Sequence, residues 1–102
     1  MKRDEILSYL KEFKDSSQNR LFTEIGLFGS YAKNQADDFS DIDVAVKVDK
    51  NYLKQHDIWD YFDAINEMKM ALLKRFNLRS DIFDVESSTA LVRKIKKDII
   101  YV

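Results

Sequence analysis

The sequence predicts an α/β domain: a small mixed sheet of three or four strands with helices packed on one face. Three observations carry that expectation. Apolar residues alternate or cluster in the short segments 21–28, 42–48 and 81–85, and recur at steps of three and four over about 3–16 and 53–76. There is no proline and there are only two glycines, Gly26 and Gly29, so Asn, Asp and Ser must make most turns and the glycines mark a special one. With 102 residues the chain reads as a single domain, 1–102, with a modest core and little room for a second module.

In chain order, Ile6, Leu7, Leu10 and Phe13 share one face of a first helix over about 3–16, and residues 15–19 form the turn that follows. Segment 21–28 is the first strand, stopping at Gly29-Ser30. A short helix is expected from 30 to about 35, with Asn34 as a left-handed C-cap. Residues 37–40 then turn the chain into a second strand. There Asp41, Asp43, Ala45 and Lys47 take one face, and Ile42, Val44, Val46 and Val48 take the core face.

One long helix is expected over about 53–76, with Ile58, Phe62, Ile65, Met68, Leu72 and Phe76 turned inward. Its aromatics Tyr52, Trp59, Tyr61 and Phe62 read as packing or interface residues, because nothing basic is interleaved with them as in a base-stacking platform. Residues 81–85 form the third strand. Ser87 or Ser88 opens a last helix to about 97, with Leu91, Val92 and Ile95 inward and Arg93, Lys94, Lys96 and Lys97 near its end. Those cations suit the helix dipole, or a docking patch for an acidic partner or for RNA bound to one. Residues 99–102 add an edge strand or cover an interface.

Composition excludes several classes of function. A formal net charge of −1 gives no global attraction to nucleic acid, so no direct DNA binding is expected. The absence of cysteine removes thiol catalysis, disulfides and cysteine zinc sites, and a single histidine, His56, removes multi-histidine metal centres. His56 reads as a surface residue without a role. The first residues lack the apolar run of a signal peptide, and no segment approaches membrane-spanning length, so a cytoplasmic protein is expected.

Chemistry concentrates between residues 29 and 43. A strand that ends at Gly29-Ser30 and turns into a helix presents free backbone N–H groups suited to phosphate. Asp41 and Asp43, side by side on one strand face, repel each other unless something positive holds them. A divalent cation with oxygen ligands, such as Mg²⁺ shared with substrate phosphates, is the usual partner. Alone, an Asp-x-Asp on an alternating strand describes a polar face toward water; beside a phosphate-holding turn it describes phosphoryl or nucleotidyl transfer. A two-metal transfer calls for a third carboxylate. Asp81 and Asp84 are the candidates, on opposite faces of their strand, and parity alone does not choose between them. Lys33 and Lys47 are candidates for touching a phosphate, though each also reads as solvated.

Gly29-Ser30, ten residues, then Asp41-Ile42-Asp43 resembles the signature of the polymerase-β-like nucleotidyltransferases, and nearly the whole chain resembles the minimal nucleotidyltransferases (MNT) of HEPN–MNT toxin–antitoxin pairs. Lys33-Asn34 stands where such proteins tend to have Arg-Gly, a mild departure. The resemblance implies the polymerase-β-like core and ATP held by Gly29 and Ser30. It further implies Mg²⁺, two ions, on Asp41, Asp43 and Asp81, with Asp81 favoured over Asp84 because it matches the first Asp of the third strand. It implies an antitoxin that transfers AMP to a tyrosine of a partner HEPN ribonuclease toxin. A small-molecule or RNA acceptor, or an antitoxin that acts by binding alone, are the alternatives. A chain of this length is expected to lack a separate acceptor-binding domain, which fits an acceptor protein that docks.

Overall fold

The computed structural model describes residues 2–16, 21–86, 93 and 96–102. Helix α1 (Lys2–Ser16) leads to strand β1 (Phe22–Phe28), helix α2 (Gly29–Ala32), strand β2 (Ile42–Val48), helices α3 (Lys50–Gln55) and α4 (Ile58–Phe76), strand β3 (Ser80–Asp84), a 3₁₀ turn (Lys96–Asp98) and strand β4 (Ile100–Tyr101). The sheet order is β3-β2-β1-β4. β1 runs antiparallel to both β2 and β4, while β2 and β3 are parallel. A parallel pair needs a long crossover, which α3 and α4 supply. The expected mixed sheet is therefore present with four strands, and residues 99–102 take the edge-strand option.

One sheet face is covered by helices. Ile6 and Leu10 of α1 and Ala64, Met68 and Leu72 of α4 pack on Ile25, Leu27, Ile42, Val44 and Val46. The two helices also meet edge to face through Tyr9 and Phe76, with ring centroids 5.6 Å apart. Met68 is fully buried among these side chains. Met68→Ala is expected to lower stability by about 2–5 kcal/mol, read as a shift in the urea midpoint.

The long helix anticipated over 53–76 is instead two helices. The Asp49 carboxylate accepts hydrogen bonds from the Asn51 and Tyr52 N–H groups at 2.9 and 3.3 Å, starting α3 early. His56 and Asp57 then adopt extended backbone angles, and Asp60 Oδ2 accepts from the Asp57 N–H at 3.3 Å to open α4. His56 is exposed and stacks on Tyr52 at 3.8 Å. The inward stripe also departs from expectation. Met68 and Leu72 are buried and Ile65 and Phe76 half-buried, but Ile58 and Phe62 face outward, because small Ala64 rather than Phe62 meets the sheet.

The expected turn at 15–19 and the expected helix over 87–97 lie largely outside the described residues; of the latter, Lys96 and Lys97 fall in the 3₁₀ turn. Among the described residues no helix is long and apolar enough to cross a membrane.

Candidate active site

Sheet register builds the site on the face away from the helices. Phe28 on β1 pairs with Asp43 on β2, and Asp43 pairs with Asp81 on β3, so the three form one row across the sheet. The next row is Gly26, Ala45 and Phe83, and Lys47 lies beyond it opposite Glu24. Phe28, Ala45 and Val85, with Phe83 and Ile99 packed on them, make a second, small apolar cluster here. Gly26 has a spatial reason to be glycine: a Cβ would run into the Ile99 side chain and lie 3.1 Å from the Ile100 carbonyl oxygen. Acid thus occupies one end of the face and apolar packing the middle.

Gly29 stands at the end of β1 with φ +76°, a left-handed conformation that L side chains rarely adopt. The Asp43 side chain lies directly against it. A Cβ at residue 29 would collide with the carboxylate and sit 3.1 Å from its Cγ. The turn at Gly29 and the strand that carries the acid are therefore one packed unit. Past Gly29, α2 is four residues long, shorter than the expected 30–35. Its C-terminal end is closed as expected by Asn34, at φ 57°. The Gln35 N–H donates to the Ser30 carbonyl at 2.8 Å and the Asn34 N–H to the Tyr31 carbonyl at 3.2 Å, the paired bonds of a Schellman motif.

The loop into β2 is fixed by Asp37 and Ser40. The Asp37 N–H donates to Ser40 Oγ at 2.9 Å, and Asp37 Oδ1 accepts from the Phe39 N–H at 2.9 Å and from the Ser40 hydroxyl at 3.1 Å. Phe39 is left 94% exposed at its tip. Asp41, exposed, follows at once and leads into β2.

Electrostatics mark the acid row. Burial, the Asp81 carboxylate and the Asp41 carboxylate, in that order, push the Asp43 carboxyl above its ordinary range. The Tyr31 hydroxyl, in α2, is pushed up by burial and then by Asp37, Asp38 and Asp41. Negative charge accumulates here, and among the described residues no ion pair brings a cation to Asp41, Asp43 or Asp81. Lys33 and Lys47, the two candidates for touching a phosphate, pair elsewhere: Lys33 Nζ lies 3.7 Å from Asp98 Oδ2, and Lys47 Nζ lies 4.0 Å from Glu86 Oε1. Glu86 also takes Lys50, at 2.9 Å. Among the described residues, no three or more acidic or histidine side chains converge to metal-binding distance; the carboxylates are arrayed along the face rather than closed into a cage.

The structure brings together Gly29, Asp43 and Asp81, with Ser30 at the start of α2 and Asp41 at the mouth of β2. Asp84 falls elsewhere. Its register partner is Val46, a core-face residue, and its Oδ1 accepts the Glu86 N–H at 2.9 Å. The Gly26–Ala45–Phe83 row and the Lys47–Glu86–Lys50 group escaped the sequence reading. Both depend on strand register, which a single sequence does not print.

Residues 9–102 match the model of the polymerase beta nucleotidyltransferase family. The chain is 28% identical over 102 residues to a protein adenylyltransferase MntA of Thermococcus cleftensis, covering 97% of this chain and 94% of that one. It is 32% identical over 80 residues to a putative protein adenylyltransferase of Methanocaldococcus jannaschii, covering 72% and 93%. The fold is similar to a crystal structure of a toxin–antitoxin with AMP-PNP (TM-score 0.56, 23% identity, 90% of this chain and 64% of that one). It is also similar to that of a mutant toxin–antitoxin MntA-HpeT (TM-score 0.59, 19% identity, 97% and 70%). The family match begins inside α1 and runs to the last residue, so no strand of the sheet lies outside it: the chain belongs, as a nucleotidyltransferase enzyme, to the polymerase beta family.

Proposed function

We propose that the chain is an antitoxin acting as a protein adenylyltransferase, moving AMP from ATP to a tyrosine of a partner toxin of the HEPN ribonuclease type, in the cytoplasm and with Mg²⁺. The observation that carries the reading is the acid row: Asp43 packed on Gly29, with Asp81 as its register partner. The relatives' names, protein adenylyltransferase, and the toxin–antitoxin neighbours support the class of acceptor.

The donor set fits a hard divalent cation. Carboxylate oxygens aligned on an open face leave room for waters and phosphate oxygens, which Mg²⁺ prefers to a closed protein cage. Asp41 and Asp43 would hold one ion and Asp81 would complete a second. Bound there, the metal neutralises phosphate charge and lowers the pKa of the attacking hydroxyl. The chain's own groups do the rest. At four residues α2 is too short for a large dipole, so its contribution is the N–H donors after Gly29 and the Ser30 hydroxyl, set to hold the β- and γ-phosphates. Asp81, which is exposed, would take the proton of an acceptor hydroxyl. Attack at the α-phosphate forms the tyrosine–phosphate ester bond, breaks the α–β bridging bond and releases pyrophosphate. Catalysis is then mainly positioning and charge neutralisation.

The test is transfer of label from α-phosphate-labelled ATP to the partner protein with Mg²⁺ present. Label is expected on a partner tyrosine and to vanish with EDTA. Asp81→Asn is expected to lower the rate at least about 100-fold, while Asp84→Asn, on the other sheet face, stays near wild type. Loss in Asp84→Asn with activity kept in Asp81→Asn would overturn the assignment of the third carboxylate.

A further inference from the structure

Helix α4 carries two apolar stripes. One faces the sheet. The other turns away from it and is exposed, with Trp59 at 66%, Phe62 at 52% and Met70 at 56%. At about 100° per residue, Trp59, Phe62, Asn66, Met70 and Leu73 fall within about a third of the helix circumference. Trp59 and Phe62 already touch, with ring centroids 6.1 Å apart.

The spacing of these five residues is three, four, four, three, so the stripe reads the same in both directions about Asn66. An inverted copy of a stripe with that property sets its members opposite one another in register, as an isologous two-fold interface requires. Trp59 meets Leu73, Phe62 meets Met70, and Asn66 meets Asn66. Each bulky aromatic is then opposed by a flexible aliphatic side chain. The central amides carry both donors and acceptors and can pair across a two-fold axis, the polar contact that fixes register in helix pairs. Charge agrees with inversion. Asp60 lies in the first turn of α4 and Lys74 in the last, so an inverted copy sets acid beside base and opposes the helix dipoles, whereas a parallel copy stacks like on like.

We infer that α4 is a dimerisation helix, pairing antiparallel with α4 of a second copy of this chain about a two-fold axis at Asn66. A heterologous partner would have no need of a palindromic stripe. The stripe lies on the far side of α4 from the sheet, so pairing leaves both acid rows open to their substrates. One pair of five-turn helices sits at or below the low end of the ~800 Å² per partner of a standard interface, the size class of weak, transient association.

The chain has no cysteine, so single introduced cysteines report the register cleanly. Asn66→Cys is expected to cross-link nearly completely under mild oxidation at concentrations where sedimentation shows a dimer. Trp59→Cys should not, because antiparallel pairing holds its two copies roughly 20 Å apart along the helix. Phe62→Glu should weaken self-association at least about tenfold while leaving the thermal melt of the monomer unchanged, since the side chain is exposed. A chain that stays monomeric to high micromolar concentration overturns the inference. So does a dimer that cross-links through Trp59→Cys rather than Asn66→Cys. Protection of Asn66→Cys from a thiol reagent only when a partner protein is added would give the face to that partner, and overturns it too.

Discussion

Asp43→Asn is expected to do two opposite things: remove nucleotidyl transfer and raise the melting temperature of the metal-free protein. The loss of transfer follows from its place at the centre of the acid row, and is expected to be at least about 100-fold. The gain in stability follows from the same place. Burial, Asp81 and Asp41 all hold the Asp43 carboxyl above its usual range, so the folded chain binds that proton more tightly than the unfolded chain does. A group raised in this sense favours the fold most below its unfolded pKa, near pH 4, and that contribution disappears as pH rises through the folded value. At neutral pH the charged carboxylate opposes folding. Asparagine has the same shape, still fits against Gly29 and carries no charge at any pH. Melts without divalent ions should therefore show variant and wild type close together at acid pH and the variant ahead near neutrality. Adding Mg²⁺ should narrow or reverse the gap. A variant that melts below wild type at neutral pH without metal would mean that Asp43 is held by favourable contacts rather than against repulsion.

Gly29→Ala is expected to be the most damaging single-methyl change in the chain. It incurs two separate costs at one atom. The backbone at φ +76° is penalised for any L side chain by about 1–2 kcal/mol. The new methyl also lands on the Asp43 carboxylate, which must swing away from the position it shares with Asp81. Stability, read from urea unfolding, should fall by about that backbone cost, while transfer should fall much further because the acid row is displaced. Gly26→Ala provides the contrast. No unusual φ is required there, and its methyl presses on Ile99 and β4 rather than on an acid, so its effect should appear in stability first. Equal transfer rates for Gly29→Ala and wild type would show that the contact with Asp43 does not set the site.

Much of the fold was legible because the relevant signals are local. Alternation along Asp41–Val48 separates an acid face from a core face, and β2 obeys it: Ile42, Val44, Val46 and Val48 are buried on the helix side. Asn34 announces its own left-handed cap. What was not legible depends on partners distant in sequence. Ile58 and Phe62 have the spacing of core residues, yet only the sheet decides which stripe of α4 it meets, and it meets Ala64, Met68 and Leu72. The break at His56–Asp57 was readable in principle, since Asp49 and Asp57 are both capping residues, but an uninterrupted apolar period over 53–76 masked it. Asp81 and Asp84 could not be separated by parity, because parity states that two side chains differ in face without saying which shares a face with Asp43. The register of β2 with β3 supplies that missing relation.

Among the described residues β3 is an outer strand, hydrogen-bonded on one side, to β2. An unpaired strand edge is a template on which another chain can add a strand, and proteins blunt such edges with brevity and charge. Here the strand is five residues long and carries Asp81 and Asp84 around an Ile-Phe pair that would otherwise favour stacking. Asp81 therefore has a second consequence besides any chemistry: it keeps an apolar edge soluble. A neutral side chain at that position trades catalytic charge for adhesiveness, and inactivity of such a protein is a statement about the site only while it stays dispersed.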